Sequence, residues 1–230
     1  MLTTKNLSAR YGDFQALFDI SLELQLGETV AIIGSNGAGK STFLRSLAGL
    51  IRNAPDAIVF NGTAVGDKPA NHILSTGIAL VPEGRRLFPS LSVEENLRIG
   101  AYRKRPGNWS LARIYALFPI LAELRKRPGT ALSGGQQQMV AIGRALMSNP
   151  QLLLCDEISL GLAPNTIKDI YAALPSIKED GTSVMLVEQD INQALAVSDR
   201  FYCFQEGRVS LTGRSGEVGM DQIKAAYFGV

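Results

Sequence analysis

At 230 residues the chain is long for one domain and short for two, which predicts one globular unit carrying a small subdomain. With 23 Lys and Arg against 21 Asp and Glu, the formal charge is only +2, which argues against a nucleic-acid binder working by bulk electrostatics. No uninterrupted apolar stretch approaches the ~20 residues that span a bilayer, and Met1–Lys5 lacks the apolar core of a signal peptide, so the expectation is a cytosolic chain that reaches a membrane only through a partner.

In chain order, Leu17 to Leu26 sets Phe18, Ile20, Leu22 and Leu24 at alternate positions, the period of a half-buried strand. Thr29–Ile33 is almost wholly apolar, as expected of a strand buried on both faces. It runs into a Gly-rich turn, after which Phe43, Leu44, Leu47 and Leu50 show helical spacing. Asn61-Gly62 has the chemistry of a tight hairpin turn. From about Gly84 the character changes, with helical spacing broken at Pro89, Pro106, Pro119 and Pro128. This predicts an inserted helical subdomain running from Val93 to about Arg127. The α/β pattern then returns: a strand over Leu152–Cys155, a helix after Pro164, a strand over Ser183–Val187 and a helix from Ile191. A closing strand, Arg200–Gln205, leads through Glu206-Gly207 into a hairpin. Cys155 and Cys203 fit no metal or redox spacing and read as reduced core residues. Alternating strands and helices predict a mainly parallel sheet with ligands at the strand C-terminal ends.

Three motifs carry chemistry. Gly34-Ser35-Asn36-Gly37-Ala38-Gly39-Lys40-Ser41 matches the eight-position P-loop. Its glycines let successive backbone N–H groups turn toward phosphate oxygens, and the following helix adds its N-terminal dipole. Lys40 is expected to reach the β- and γ-phosphates of ATP, and the Ser41 hydroxyl to bind Mg²⁺. The apolar strand at Leu152 ends in Asp156-Glu157. One carboxylate at that tip can hold the Mg²⁺ shell and the next can polarise the attacking water, so Glu157 is the expected general base. Between these motifs lies Leu132-Ser133-Gly134-Gly135-Gln136, whose Ser133 and Gly134-Gly135 amides open a helix and make a second anion site.

A P-loop alone fits many NTPases. Followed by Leu132–Gln136 and a Leu-rich strand ending in Asp-Glu, it resembles the ABC ATPases, over nearly the whole chain. The resemblance implies an α/β P-loop NTPase core with a mainly parallel sheet, an antiparallel β subdomain at the N-terminus and an inserted α-helical subdomain. One domain would span 1–230, with 1–83 and 147–230 as core and 84–146 as helical subdomain and signature motif. It also implies a dimer, in which Ser133, Gly134, Gly135 and Gln136 cap the γ-phosphate held by a partner's P-loop. Tyr11 falls where the family stacks an aromatic on adenine, and Thr42 joins the P-loop residues around the nucleotide.

Three positions depart from the common family pattern. Glu83 stands where most members have a Gln near Mg²⁺ and the attacking water. Gln189 replaces a switch His, and Gly161 a common Asp. Gln189 can donate an amide hydrogen to a γ-phosphate oxygen without titrating near neutrality. Val81–Pro89, Val93–Leu97, Gly161–Pro164 and Val187–Gln189 together resemble the LivF-type ATPases of bacterial branched-chain amino acid importers; Ile158 departs from the usual Pro. The implied machine has a second, LivG-like ATPase (or a second copy of this chain in isolation), two membrane permeases and a periplasmic binding protein. The chain would sit peripherally on the cytoplasmic face of a bacterial inner membrane. Residues 83–97 would form the groove for a permease helix. Related importers carry urea or short amides, and an exporter-type homodimer is the further alternative, against which Gln189 argues.

Overall fold

The structure, a computed structural model, describes residues 1–229. Strands β1 (Leu2–Tyr11) and β2 (Phe14–Leu24) pair antiparallel, with Leu2 opposite Leu24 and Tyr11 opposite Phe14. The alternation read from Phe18 onward is interrupted. Leu7 opposes Ile20 but Ala9 opposes Leu17, so two residues of β2 face one of β1. Asp19, in the left-handed region at φ 53°, is the bulged residue. The slip buries Leu17 fully and turns Phe18 half outward, where the Arg208 guanidinium lies 4.7 Å above its ring.

Strand β3 (Thr29–Ile33) leads into α1 (Lys40–Leu47). The helix buries Phe43, Leu44 and Leu47 but stops before Leu50, which is 59% exposed. The cause is Gly49, at φ 70°, which a Cβ would drive to 2.7 Å from the Lys68 carbonyl oxygen. The short strands β4 (Ile58–Phe60) and β5 (Thr63–Ala64) are joined by Asn61 and Gly62, both left-handed at φ 48° and 78°, the conformation a two-residue hairpin loop requires. Helix α2 (Ala70–Thr76), which the sequence pattern did not reveal, then feeds β6 (Ile78–Val81).

Helices α3 (Val93–Gly100), α4 (Leu111–Leu117) and α5 (Pro119–Glu123) fill the stretch read as a helical insertion, and α6 (Gly134–Leu146) follows. Ser92 and Glu95 cap α3 reciprocally, which satisfies two of its free amides. Gly100 lets α3 cross α6 almost backbone to backbone, since its Cβ would lie 1.9 Å from the Arg144 carbonyl oxygen. The chain closes through β7 (Leu152–Asp156), α7 (Pro164–Ala172), α8 (Leu174–Glu179), β8 (Ser183–Glu188), α9 (Ile191–Val197), β9 (Arg200–Gln205), β10 (Arg208–Arg214) and α10 (Met220–Phe228).

One sheet is antiparallel in the order β2-β1-β4-β5. The other runs β10-β9-β3-β8-β7-β6 and is parallel except for β10. Its middle strands are buried on both faces, and alternation decides which core each residue enters. Leu152 and Leu154 of β7, with Met185 and Val187 of β8, join the core shared with the small sheet and α1. Leu153 and Cys155, with Val184 and Leu186, join the core shared with α3–α8. Truncating such a residue to Ala costs about 2–5 kcal/mol. Both cysteines are buried free thiols, as expected. No helix among the described residues is long and apolar enough to cross a membrane.

Candidate functional site

The parallel strands deliver β3, β7 and β8 side by side with their C-terminal ends together. After β3 the chain curls through Gly34–Gly39, with Gly37 and Gly39 at φ 81° and 97°. A Cβ on Gly39 would fall 2.6 Å from a Leu17 methyl, so only glycine lets the loop lie against β2. Lys40 is 4% exposed and donates to the carbonyl oxygens of Gly34 at 2.7 Å and Ser35 at 3.0 Å. Its Nζ lies 3.7 Å from Glu157 Oε1. Burial pulls the ammonium below the usual lysine range, and Glu157 and Asp156 pull it back in part.

Ser41 Oγ donates to Asp156 Oδ1 at 2.9 Å. Asp156 is held above the usual carboxylate range, first by burial; the Ser41 bond opposes this, and Glu157 and Glu83 add to it. Ser41 and Asp156, bonded to each other, and Glu83, near enough to raise Asp156, carry oxygen donors of the kind a hard divalent cation takes. Glu157 sits in the left-handed region at φ 48°, a strain of about 1–3 kcal/mol for a non-glycine residue. Its N–H donates to Val187 O at 3.0 Å, and Gln189 Nε2 donates to its Oε2 at 2.7 Å. The amide that sequence reasoning aimed at a phosphate is therefore bonded to the expected base.

Lys40, Ser41, Glu83, Glu157 and Gln189 line one cleft of about 900 Å³, together with Tyr11, Phe14, Asn36 and Thr42. Tyr11 is half exposed, with its hydroxyl 3.4 Å from Thr42 Oγ1. Phe14, opposite Tyr11 in the hairpin and 70% exposed, adds an aromatic face that the strand pattern did not single out. Gly34, Ser35, Ala38 and Asp156 lie beneath, building the loop and its anchor.

Ser133, Gly134, Gly135 and Gln136 line no part of this cleft. They form the start of α6, where the Ser133 hydroxyl accepts from Gln136 N–H and the Gln136 amide oxygen accepts from Ser133 N–H. Neither α1 nor α6 carries an acidic residue in its first turn, so both positive helix ends are left for an anion. A Cβ on Gly135 would meet Thr166 at 2.2 Å, which fixes how closely α6 approaches α7.

A separate groove of about 350 Å³ is lined by Leu74, Leu80, Arg86, Phe88, Ile99 and Arg144. Arg144 donates to the carbonyl oxygens of Arg86 at 2.8 Å and Arg85 at 3.1 Å. It thereby holds Gly84, Arg85 and Arg86, all three left-handed. The stretch 83–97, expected to form one groove, does not send all its side chains there: those of Arg85 and Arg86 part. Arg86 lines the groove, whereas the Arg85 guanidinium packs against Gly134 at the start of α6.

The ABC transporter family model matches residues 17–159. The chain is 42% identical to the high-affinity branched-chain amino acid transport ATP-binding protein BraG of Pseudomonas aeruginosa, over the full length of both. It is 34% identical to the probable branched-chain amino acid transport ATP-binding protein LivF of Archaeoglobus fulgidus, over 95% of this chain and 94% of that one. Among solved structures, an ATP-binding cassette in a dimeric post-hydrolysis state, bound to ADP and Pi, superposes with a TM-score of 0.83. It shares 27% identity over 95% of this chain and all of that one.

Proposed function

The chain belongs to the ABC transporter family, and on that premise we propose that it is the ATP-binding and ATP-hydrolysing subunit of a membrane importer for branched-chain amino acids. The observation that carries this reading is Glu157, at the phosphate end of the P-loop cleft, bracketed by Lys40 and Gln189. The cargo follows from the end-to-end likeness to BraG and LivF.

On this reading Lys40 leaves the Gly34 and Ser35 carbonyls to meet the β- and γ-phosphates, with Asn36, Gly37, Ala38, Gly39, Ser41 and Thr42 around them. Tyr11 stacks on adenine. Glu157 accepts a proton from the attacking water as its oxygen bonds to the γ-phosphorus and the bond to the ADP oxygen breaks. Gln189 holds the Glu157 carboxylate through an amide that stays neutral, so it does not titrate with pH near neutrality. Ser41, Asp156 and Glu83 would hold Mg²⁺, which when bound neutralises charge on the phosphate oxygens. Ser133, Gly134, Gly135 and Gln136 present the start of α6 to the nucleotide of a second ATPase subunit, a LivG-like partner. The subunit sits peripherally on the cytoplasmic face of the membrane, and its groove takes a permease helix.

Uptake of labelled leucine, isoleucine, valine, urea and a short amide by source cells tests the assignment, with wild-type chain and with Glu157→Gln. Selective loss of the three amino acids is expected. Loss of urea or amide uptake alone would move the cargo, and no change in any would remove the importer. The groove has its own test. Arg86→Glu is expected to lower transport about tenfold or more, the effect of roughly 1.4 kcal/mol, with basal ATPase retained. Arg85→Glu, placed against α6, is expected to lower ATPase as well; equal behaviour of the two would refute the division.

A further inference from the structure

Glu188 ends β8, immediately before Gln189, and is 2% exposed. Among the described residues no cation pairs with it. A carboxylate so placed is costly unless donors satisfy its oxygens. Three do. Ser159 Oγ donates to Oε2 at 2.7 Å, Ser159 N–H donates to Oε1 at 3.2 Å, and the Tyr171 hydroxyl donates to Oε1 at 2.7 Å. Burial raises the carboxyl above its ordinary range, and these bonds draw it back.

The connections form a closed ring at the reacting end of the molecule. Gln189 is bonded through its side chain to Glu157 and through its peptide to Glu188; Glu188 grips Ser159, two residues beyond Glu157 on the same loop. Tyr171 ties the ring to α7. Packing alone would have been served there by an apolar residue, as it is at the other positions of β8 that enter the core. The ring instead spans the two loops that carry Glu157 and Gln189, and it constrains the left-handed backbone at Glu157.

We propose that Glu188 is a positioning residue for ATP hydrolysis: through Ser159 and Tyr171 it holds the loop bearing Glu157 in register with Gln189. Glu188 reaches the reacting atoms only through these neighbours, so the step that suffers without it is hydrolysis, not nucleotide binding. The proposal rests on the ATPase reading above.

Each variant is expressed as the full chain in place of the wild type in source cells. The assembled transporter is purified through a tag on this chain, and kcat, KM for ATP and melting temperature are measured. Ser159→Val and Tyr171→Phe are each expected to lower kcat about tenfold, the scale of one hydrogen bond to a charged group, with KM unchanged. Ser159→Thr, of the same shape as Val but with the hydroxyl, is expected to retain most of kcat. Glu188→Gln should fall at least as far as either; if it does not fold, the Val/Thr pair and Tyr171→Phe decide alone. A lowered melting temperature with kcat unchanged would make Glu188 a structural anchor and overturn the proposal. So would a raised KM with kcat unchanged, because the loop would then serve binding. Glu157→Gln run alongside separates the two readings. If it retains turnover the ATPase assignment of Glu157 fails, whereas its loss beside normal Ser159→Val and Tyr171→Phe sinks only the role of Glu188.

Discussion

Replacing Glu157 by Gln is expected to leave ATP binding intact and to reduce hydrolysis at least about 100-fold, the usual contribution of a positioned general base. The amide is isosteric and can still accept the Gln189 N–H that reaches Oε2 at 2.7 Å, so the loop should keep its shape. What it lacks is a basic oxygen for the proton of the attacking water. Phosphate release and equilibrium binding of labelled ATP separate the two effects, and near-normal release would remove Glu157 from its assigned role. Gln189→Ala should show a smaller fall, about tenfold, because the carboxylate remains but loses one of its two side-chain constraints. Gln189→His should recover much of that turnover and add a pH dependence the amide lacks, since imidazole titrates near neutrality.

Lys40→Met is expected to weaken ATP binding at least about thirtyfold, corresponding to roughly 2 kcal/mol or more for a desolvated charge partner. Met keeps the apolar stem in place, so the variant isolates the loss of charge. The ammonium is held ready by the carbonyl oxygens of Gly34 and Ser35. These are also the contacts it can exchange for phosphate oxygens without moving the backbone. Titration calorimetry reads the affinity, and a melting curve shows whether the loop has survived. Unchanged affinity with an unchanged melting temperature would mean that the nucleotide phosphates bind elsewhere.

Much of this molecule was legible in contiguous residues. The apolar runs at Thr29–Ile33 and Leu152–Cys155 announced strands buried on both faces, and Ser183–Val187 announced a strand; all are almost wholly apolar because each strand face meets a different core. Asn61-Gly62 announced its hairpin, because few other pairs tolerate two left-handed residues in succession. Helix α10 had no comparable signal: among its residues only Ile223 is fully buried, so little periodicity marks it. Phe18 and Leu50 were misplaced for a shared reason. A single left-handed residue, Asp19 in one case and Gly49 in the other, ended a period that the neighbouring side chains alone would have continued.

Three motifs were legible in adjacent residues: a P-loop and a paired carboxylate at a strand tip, which meet at one cleft, and a helix opened by Ser133 and two glycines, which lies outside it. Each is a local arrangement, written in a few adjacent residues whose backbone preferences and polar groups suffice to make it recognisable. How these parts engage followed from contacts between segments far apart in the chain. They set Ser41 on Asp156 from 115 residues away, turned the Gln189 amide onto Glu157, sent Arg85 and Arg86 to different surfaces, and placed the buried Glu188 between Ser159 and Tyr171. Those pairings depend on strand order and on the twist that brings β3, β7 and β8 together, which no window of neighbouring residues encodes.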